Sequence, residues 1–245
     1  MRKWIRLVGY VLIGASLVIF GVQWYRTSEN AKVEQEILNI EQTVTDTTPD
    51  NPTPGPTDEI DYQRINHAYF DVNPDYAGYI SISKLNIFYP YVQGNDNKYY
   101  LRHNIKREFS YHGAIFMDYR NQLDFSDNHT VLYGHSMLDG TMFRGLDKLK
   151  NKVNYSDDLV ISIRTLNETR RYKIFSVYLA NADVTRLSIP ANHRDVKELA
   201  EFYRKKSRYD TEVDISEIDH ILTLASCNYD LDNGRIIVHA IRIDN

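Results

Sequence analysis

The sequence of 245 residues contains a single cysteine, Cys227. One cysteine excludes a disulfide within the chain, and it also excludes any C-x-x-C redox or zinc motif. The thiol therefore pairs with another molecule, lies inert in a core, or carries out chemistry.

The chain also lacks an excess of positive charge. It carries 29 basic and 33 acidic side chains, which gives a formal net charge of -4. Proteins that bind nucleic acid ordinarily present a basic surface to the phosphate backbone. The composition therefore predicts no nucleic-acid partner.

Several catalytic motifs are missing. The sequence has no H-E-x-x-H pair and no P-loop, and residues 134–138 (Gly-His-Ser-Met-Leu) lack the final glycine of a G-x-S-x-G elbow. The acidic pairs in residues 157–158 and 230–232 are more typical of solvated turns than of cation sites. We predict no metal site.

One long apolar run is present, near the N-terminus. Residues 7–25 contain no charged side chain, and at about 1.5 Å per residue they can cross a hydrocarbon core of roughly 30 Å. Arg2, Lys3 and Arg6 precede the run, which favours a cytoplasmic N-terminus. We predict a signal-anchor helix over residues 1–26, a single pass through the cell membrane, and an extracytoplasmic domain. A cleaved signal peptide is the alternative, but no A-x-A pattern follows the run.

A short helix and a linker are predicted next. Apolar residues recur at helical spacing between residues 28 and 44, which indicates an amphipathic helix. Residues 43–57 hold four of the seven prolines, a composition typical of an extended linker. We assign residues 27–59 to this juxtamembrane helix and linker, and residues 60–245 to one compact domain.

Short apolar or alternating runs separated by polar turns predict a mostly β domain. The predicted strands lie near residues 79–83, 87–92, 114–117, 130–134, 159–163, 172–179, 220–225 and 236–243. Helical periodicity interrupts them at residues 61–70, 142–150 and 194–206. Eight strands without regular helix alternation favour a barrel or a sandwich over a doubly wound sheet. Pro90 indicates an edge position or a bulge, because proline cannot donate to a ladder.

Cys227 ends an apolar run and is followed by a polar loop, so it is expected at the mouth of a strand. A side chain there can be partly exposed on a rigid backbone, as a nucleophile requires. A small hydrophobic residue closing a core strand is the alternative. Arg235 opens the next strand, and a hairpin would bring it beside Cys227, where a guanidinium favours thiolate and can bind an oxyanion. Otherwise Arg235 is a solvated charge at a strand end.

His135 is the strongest candidate for an acid-base partner of the thiol, because it directly follows an apolar run and Gly134. The other histidines are weaker candidates. Four lie in polar stretches typical of surfaces, namely His103, His112, His129 and His193. His239 is predicted to pack within a strand, and His67 and His220 remain weak alternatives.

Three segments, in this order, resemble the sortases of Gram-positive bacteria. They are residues 133–137 (Tyr-Gly-His-Ser-Met), residues 223–227 (Thr-Leu-Ala-Ser-Cys) and residues 233–235 (Asn-Gly-Arg). Residues 116–121 (Phe-Met-Asp-Tyr-Arg-Asn), together with the long helical insertion before the cysteine strand, look like class B. The resemblance spans roughly residues 60–245.

The resemblance implies an eight-stranded sortase-type β-barrel with peripheral helices, preceded by the transmembrane helix. It implies an enzyme that cleaves a C-terminal sorting signal of surface proteins after a Thr and holds the acyl group as a thioester on Cys227. An amine of cell-wall peptide or of a pilin subunit would then take the acyl group, with no cofactor. His135 would supply and remove protons, while Arg235 and the backbone N–H of Asn228 would stabilise the oxyanion.

The same resemblance implies a substrate groove. Its positions are Asn97, Leu101, Tyr133, Ser226 and Asn228. Leu101 is equally compatible with a place in the core. Ser226 stands where the family usually has Thr, so it keeps the hydroxyl and loses a methyl, which is expected to affect substrate fit.

Two other functions remain open from the residues alone. A cysteine peptidase that only hydrolyses would use the same Cys and His. A non-catalytic, membrane-anchored binding module would bury Cys227 in its core. For a transpeptidase, the sequence does not separate cell-wall anchoring from pilin polymerisation.

Overall fold

The computed structural model describes residues 2–45, 61–181, 196–228 and 234–243. The chain divides into two compact units, Met1–Pro52 and Thr53–Asn245. In the first unit a single helix, α1, runs over Arg2–Thr45. The apolar run and the separate amphipathic helix predicted after it are thus parts of one continuous helix. The predicted linker lies mostly outside the described residues.

The uncharged run of residues 7–25 lies in the N-terminal part of α1. Within the described ranges, no helix is both long enough and apolar enough to cross a membrane. The signal anchor over residues 1–26 stays a prediction.

In its described residues the second unit is built on eight strands, and the prediction of an eight-stranded barrel is confirmed. They are β1 (Tyr76–Ile82), β2 (Ile87–Val92), β3 (Ile115–Met117), β4 (His129–Gly134), β5 (Val160–Arg164), β6 (Thr169–Asn181), β7 (Ile221–Asn228) and β8 (Gly234–Arg242). Hydrogen bonding closes them into a barrel in the order β1-β2-β3-β4-β7-β8-β6-β5. The β2/β3 and β4/β7 pairs are parallel and the others are antiparallel.

Where the structure describes this unit, two α-helices and four 3₁₀ helices accompany the barrel. Helix α2 spans Tyr62–Val72 and α3 spans Val196–Lys206. Phe143–Lys150, where the sequence also predicted a helix, is 3₁₀. Pro90 lies in the part of β2 that pairs with β1 alone, because β3 reaches only Tyr91 and Val92. Its edge position was predicted.

Strands β7 and β8 are buried on both faces, which explains why their sequences are continuously apolar. On β7, Leu222 and Leu224 point into the barrel core, while Ile221 and Ala225 belong to a second cluster with Leu199 of α3. The alternation follows from the two-residue period of a strand. Because it is held from both sides, β7 is a rigid support for the residues at its C-terminal end.

A chain of buried polar groups crosses this part of the barrel. The Thr223 hydroxyl lies 2.7 Å from His129 Nε2 and 2.6 Å from His239 Nδ1. Tyr203 stacks on the His239 ring at 3.7 Å between centroids. The packed position predicted for His239 is confirmed, but the surface position predicted for His129 is wrong. Its neighbours in sequence are polar, yet β4 turns the side chain toward Thr223, where the imidazole finds a partner.

His112 was also expected at the surface and is instead 8% exposed. Its Nε2 lies 2.6 Å from Asp139 Oδ2. A polar stretch can thus bury a histidine when a carboxylate from another loop satisfies it. His193 lies outside the described residues.

The buried histidines predict acid sensitivity. Burial lowers the pKa of His220 to about 3, and it lowers the pKa of His239 well below its usual value. Both side chains are therefore neutral when folded and bind protons on unfolding once the pH is below about 6.5. The free energy of unfolding should therefore decrease as the pH decreases. Its slope against pH should approach about 1.4 kcal/mol per pH unit for each histidine.

Urea unfolding between pH 7.5 and 5 measures this slope. His220→Asn should flatten the slope, because it removes one of the two buried groups that take up a proton on unfolding. A slope that is equal in wild type and in His220→Asn would contradict the prediction.

Candidate active site

Strand register brings the three predicted catalytic residues together. Strands β4 and β7 are parallel, and Gly134 pairs with Ser226, so His135 and Cys227 occupy the next step at the same end of the barrel. Neighbouring strands lie about 4.8 Å apart. On the other side of β7, Cys227 pairs directly with Arg235 of β8. His135, Cys227 and Arg235 thus form a row across three adjacent strands, which we call the catalytic row.

His135 is half-buried, and a main-chain group orients its ring. Nε2 lies 2.8 Å from the carbonyl oxygen of Leu101. A carbonyl only accepts hydrogen bonds, so Nε2 carries a hydrogen. In the neutral ring Nδ1 is then the basic nitrogen, the atom that can take up a proton.

The backbone of His135 is also fixed, by packing and by hydrogen bonding. Its carbonyl accepts a bond of 2.8 Å from the N–H of Phe143. The preceding Gly134 fits closely against its surroundings, since an added Cβ there would overlap Ile115 Cδ1 and lie 2.8 Å from Phe143 Cδ2. Glycine is therefore required at position 134 by the close approach of the Phe143 ring.

Two predicted groove residues, Asn97 and Tyr133, meet at one buried carboxylate. Asp118 Oδ2 accepts from Asn97 Nδ2 at 2.8 Å and from the Tyr133 hydroxyl at 3.0 Å. Arg120 forms a fork on the same carboxylate, with Nε on Oδ1 and Nη2 on Oδ2, both at 2.9 Å. The N–H of Tyr119 donates to Asn97 Oδ1 at 3.1 Å, which fixes the orientation of that amide.

These contacts keep Asp118 ionised. Burial acts to raise the pKa of Asp118, but hydrogen bonds from Arg120, Asn97 and Tyr133 outweigh it and hold the pKa below its usual value. The pKa of Tyr133 is raised, first by burial and then by the Asp118 charge, while Arg235 acts in the opposite direction.

The remaining predicted groove residues are placed as follows. Leu101 is half-buried at the end of the 3₁₀ helix Tyr99–Leu101, so it is not a core residue. Asn228 is the last residue of β7 and pairs with Gly234. Ser226 is fully buried, and its hydroxyl finds no hydrogen-bond partner within the described ranges.

The Ser226 hydroxyl gives a stability prediction. A buried hydroxyl without a partner costs roughly 1–3 kcal/mol, so Ser226→Ala should raise the free energy of unfolding by about 1 kcal/mol. Ser176→Ala is the matched control, because the fully buried Ser176 donates to the Tyr203 carbonyl at 2.7 Å. That change should lower stability by about 1 kcal/mol. Urea unfolding measures both. A Ser226→Ala variant that is less stable than wild type contradicts the prediction.

Two contributors to the site escaped the sequence interpretation. The Leu101 carbonyl carries no side-chain signal, so nothing in the sequence indicates it. Asp118 was noted only within the class B segment, although an acidic residue directly after a short apolar strand is a signal for a buried, hydrogen-bonded carboxylate.

Comparison with known proteins agrees with the fold. The model of the sortase domain family matches residues 80–243. Sortase B of Listeria monocytogenes is 34% identical over 170 residues, which cover 68% of this chain and 69% of the relative. Sortase B of Staphylococcus aureus is 30% identical over 172 residues, covering 69% and 70%.

Solved structures give the same result. A crystal structure of sortase B from Bacillus anthracis superposes with a TM-score of 0.75 at 32% identity, covering 89% of this chain and 97% of the other. Sortase B from Clostridium perfringens superposes with a TM-score of 0.64 at 32% identity, covering 73% of this chain and all of the other. With its eight-stranded barrel and its three sequence segments, this chain belongs to the sortase family of cysteine transpeptidases, as a class B sortase.

Proposed function

We propose that this protein transfers an acyl group from a sorting-signal peptide to an amine at the outer face of the cell membrane. The observation that carries the proposal is the catalytic row, in which strand register sets Cys227 between His135 and Arg235. Such a site suits covalent catalysis at a carbonyl, because it supplies a nucleophile, a proton carrier and an oxyanion stabiliser together.

The first half of the reaction forms a thioester. The Cys227 thiolate attacks the carbonyl carbon of the substrate Thr, and the carbonyl electrons move onto oxygen. Arg235 and the Asn228 N–H stabilise that oxyanion. When the intermediate collapses, the C–N bond breaks and Nδ1 of protonated His135 gives its proton to the departing amine.

The second half reverses these roles. An incoming amine attacks the thioester carbonyl, and neutral His135 takes a proton from it. Collapse then releases the Cys227 thiolate and leaves a new amide bond. Amine and water compete for the same thioester, so the site must bind the amine well enough to exceed hydrolysis.

Mass spectrometry of products tests the proposal. The domain over residues 60–245 is incubated with a peptide library that has one fixed Thr, together with a peptide bearing a free α-amine or one bearing a lysine. Ligation to the α-amine supports a cell-wall peptide as acceptor, and ligation to lysine supports a pilin subunit. If hydrolysed peptide is the sole product at every amine concentration, the protein is instead a peptidase that only hydrolyses.

Membrane anchoring is part of the proposal and rests on the uncharged residues 7–25. The full chain should sediment with membranes and resist extraction by carbonate, whereas a chain beginning at residue 27 should remain in the supernatant. Recovery of both forms in the supernatant contradicts the anchor.

A further inference from the structure

Asp118 is more heavily hydrogen-bonded than its local structure requires. It directly follows β3, its N–H donates to the Val131 carbonyl at 2.9 Å, and its side chain is fully buried. The guanidinium of Arg120 and the Arg120 N–H already satisfy and neutralise the carboxylate from within the same turn. An ion pair of this kind is sufficient to keep a buried charge stable.

Two further donors reach Asp118 from separate parts of the chain. Asn97 comes from the loop after β2, and Tyr133 comes from β4. Both side chains are half-buried, and the hydrogen bonds to Asp118 restrict their rotamers. Fixed orientation of partly exposed polar groups is what a binding surface needs.

The position of Tyr133 connects this cluster to the catalytic row. Tyr133 precedes His135 by two residues on the same extended segment, so both side chains lie on one face. It pairs across the ladder with Ala225, which precedes Cys227 by two residues. Ala225 in turn pairs with Ile237 of β8, and Arg235 precedes Ile237 by two residues, so the third member of the row stands at the same step of the ladder.

We infer that Asp118 is a positioning residue for transpeptidation. It holds the Asn97 amide and the Tyr133 hydroxyl in fixed orientations beside the catalytic row, and thereby shapes the polar wall against which the peptide binds. Arg120 serves as its counter-ion. This role rests on the proposed function, since it assigns a task only if a peptide occupies the site.

Asp118→Asn is the direct test, because it keeps the size of the side chain and removes its charge. Asp127→Asn is the matched control. Asp127 lies in the same β3 to β4 connection and accepts bonds from Asn121 and from the Gln122 N–H, but it has no hydrogen bond to Asn97 or Tyr133. The substrate is the peptide that wild type ligates best, and hydroxylamine serves as a small amine acceptor.

Asp118→Asn should raise the KM for the peptide by about 10-fold, lower kcat by less, and leave the rate of Cys227 alkylation by iodoacetamide within about twofold of wild type. Asp127→Asn should match wild type in all three quantities. In a Tyr133→Phe background, Asp118→Asn should cost less than it does alone, because the two changes remove the same contact. A folded Asp118→Asn with wild-type KM, an equal loss in Asp127→Asn, or full additivity would overturn the role.

A second pair of variants covers the case in which Asp118→Asn does not fold. Asn97→Ala and Tyr133→Phe leave the buried ion pair intact, and each must then raise KM on its own. Wild-type KM in both overturns the inference. If wild type transfers the peptide and both variants transfer it with the same kinetics, only the positioning role fails. If wild type transfers no peptide to any amine, the proposed function fails and the role falls with it.

Discussion

Replacing Cys227 with alanine should reduce both ligation and hydrolysis of the peptide to below about one thousandth of the wild-type rate. The expected loss is the largest in the protein, because every covalent step passes through the thiolate and no second cysteine exists in the chain. Single-turnover assays with mass detection measure the residual product. They should also show the thioester in wild type at short times and never in Cys227→Ala.

A folded, inactive variant is needed for this result to be informative. Strand β7 is buried on both faces, so thermal unfolding and far-ultraviolet circular dichroism should confirm that Cys227→Ala keeps the barrel. Blocking wild type with iodoacetamide is an independent route to the same loss. Ligation that persists in the folded variant would exclude Cys227 as the nucleophile.

Replacing Arg235 with alanine should lower kcat by about 10²- to 10³-fold with a smaller change in KM. The guanidinium is assigned to the oxyanion, which exists only after attack, so its loss affects the transition state more than the bound substrate. Arg235→Lys should recover part of the loss, because it restores the charge without the planar fork.

The matched control lies on the same strand. Arg242 ends β8 at the opposite end from the row and pairs with Glu168 at 3.3 Å. Arg242→Ala removes an equal charge from β8 and should leave kcat within about twofold of wild type. Alkylation of Cys227 separates the two tasks given to Arg235. A lower alkylation rate at neutral pH in Arg235→Ala indicates thiolate stabilisation, whereas an unchanged rate with reduced kcat indicates the oxyanion alone. Full kcat in Arg235→Ala would remove it from the mechanism.

The strands of this domain could be predicted because their signals are local. Apolar alternation and turn residues identified all eight, with ends displaced by a few residues. The hairpin between Cys227 and Arg235 could also be predicted, because only a short loop separates the two residues. The strand register confirms it.

The neighbour of β7 on its other side was not predictable from periodicity. Strands β4 and β7 are far apart in the sequence, and no local pattern states that they pair in parallel. His135 was selected for its place after an apolar run, and the pairing places it beside Cys227 by tertiary structure. The same limit explains His129, whose polar neighbours gave no sign of the buried partner that Thr223 provides across that pairing.

The sequence could not distinguish an α-helix from a 3₁₀ helix at Phe143–Lys150, for a different reason. Helical periodicity is similar for α and 3₁₀ turns over so few residues. Packing determines which of the two helix types forms. Phe143 packs against Gly134, and Gly145 packs against the Leu85 backbone. Neither approach is visible until the barrel is closed.

The hydrogen bond from His135 to the Leu101 carbonyl has a consequence for how this enzyme is studied. Every amino acid offers the same carbonyl, so scanning position 101 with all other side chains leaves the acceptor in place and reports only on packing. The contribution becomes measurable through the peptide unit itself. A semisynthetic chain with an ester in place of the amide between residues 101 and 102 weakens that oxygen as an acceptor, and it is expected to shift the pH profile of turnover while the side chains remain unaltered.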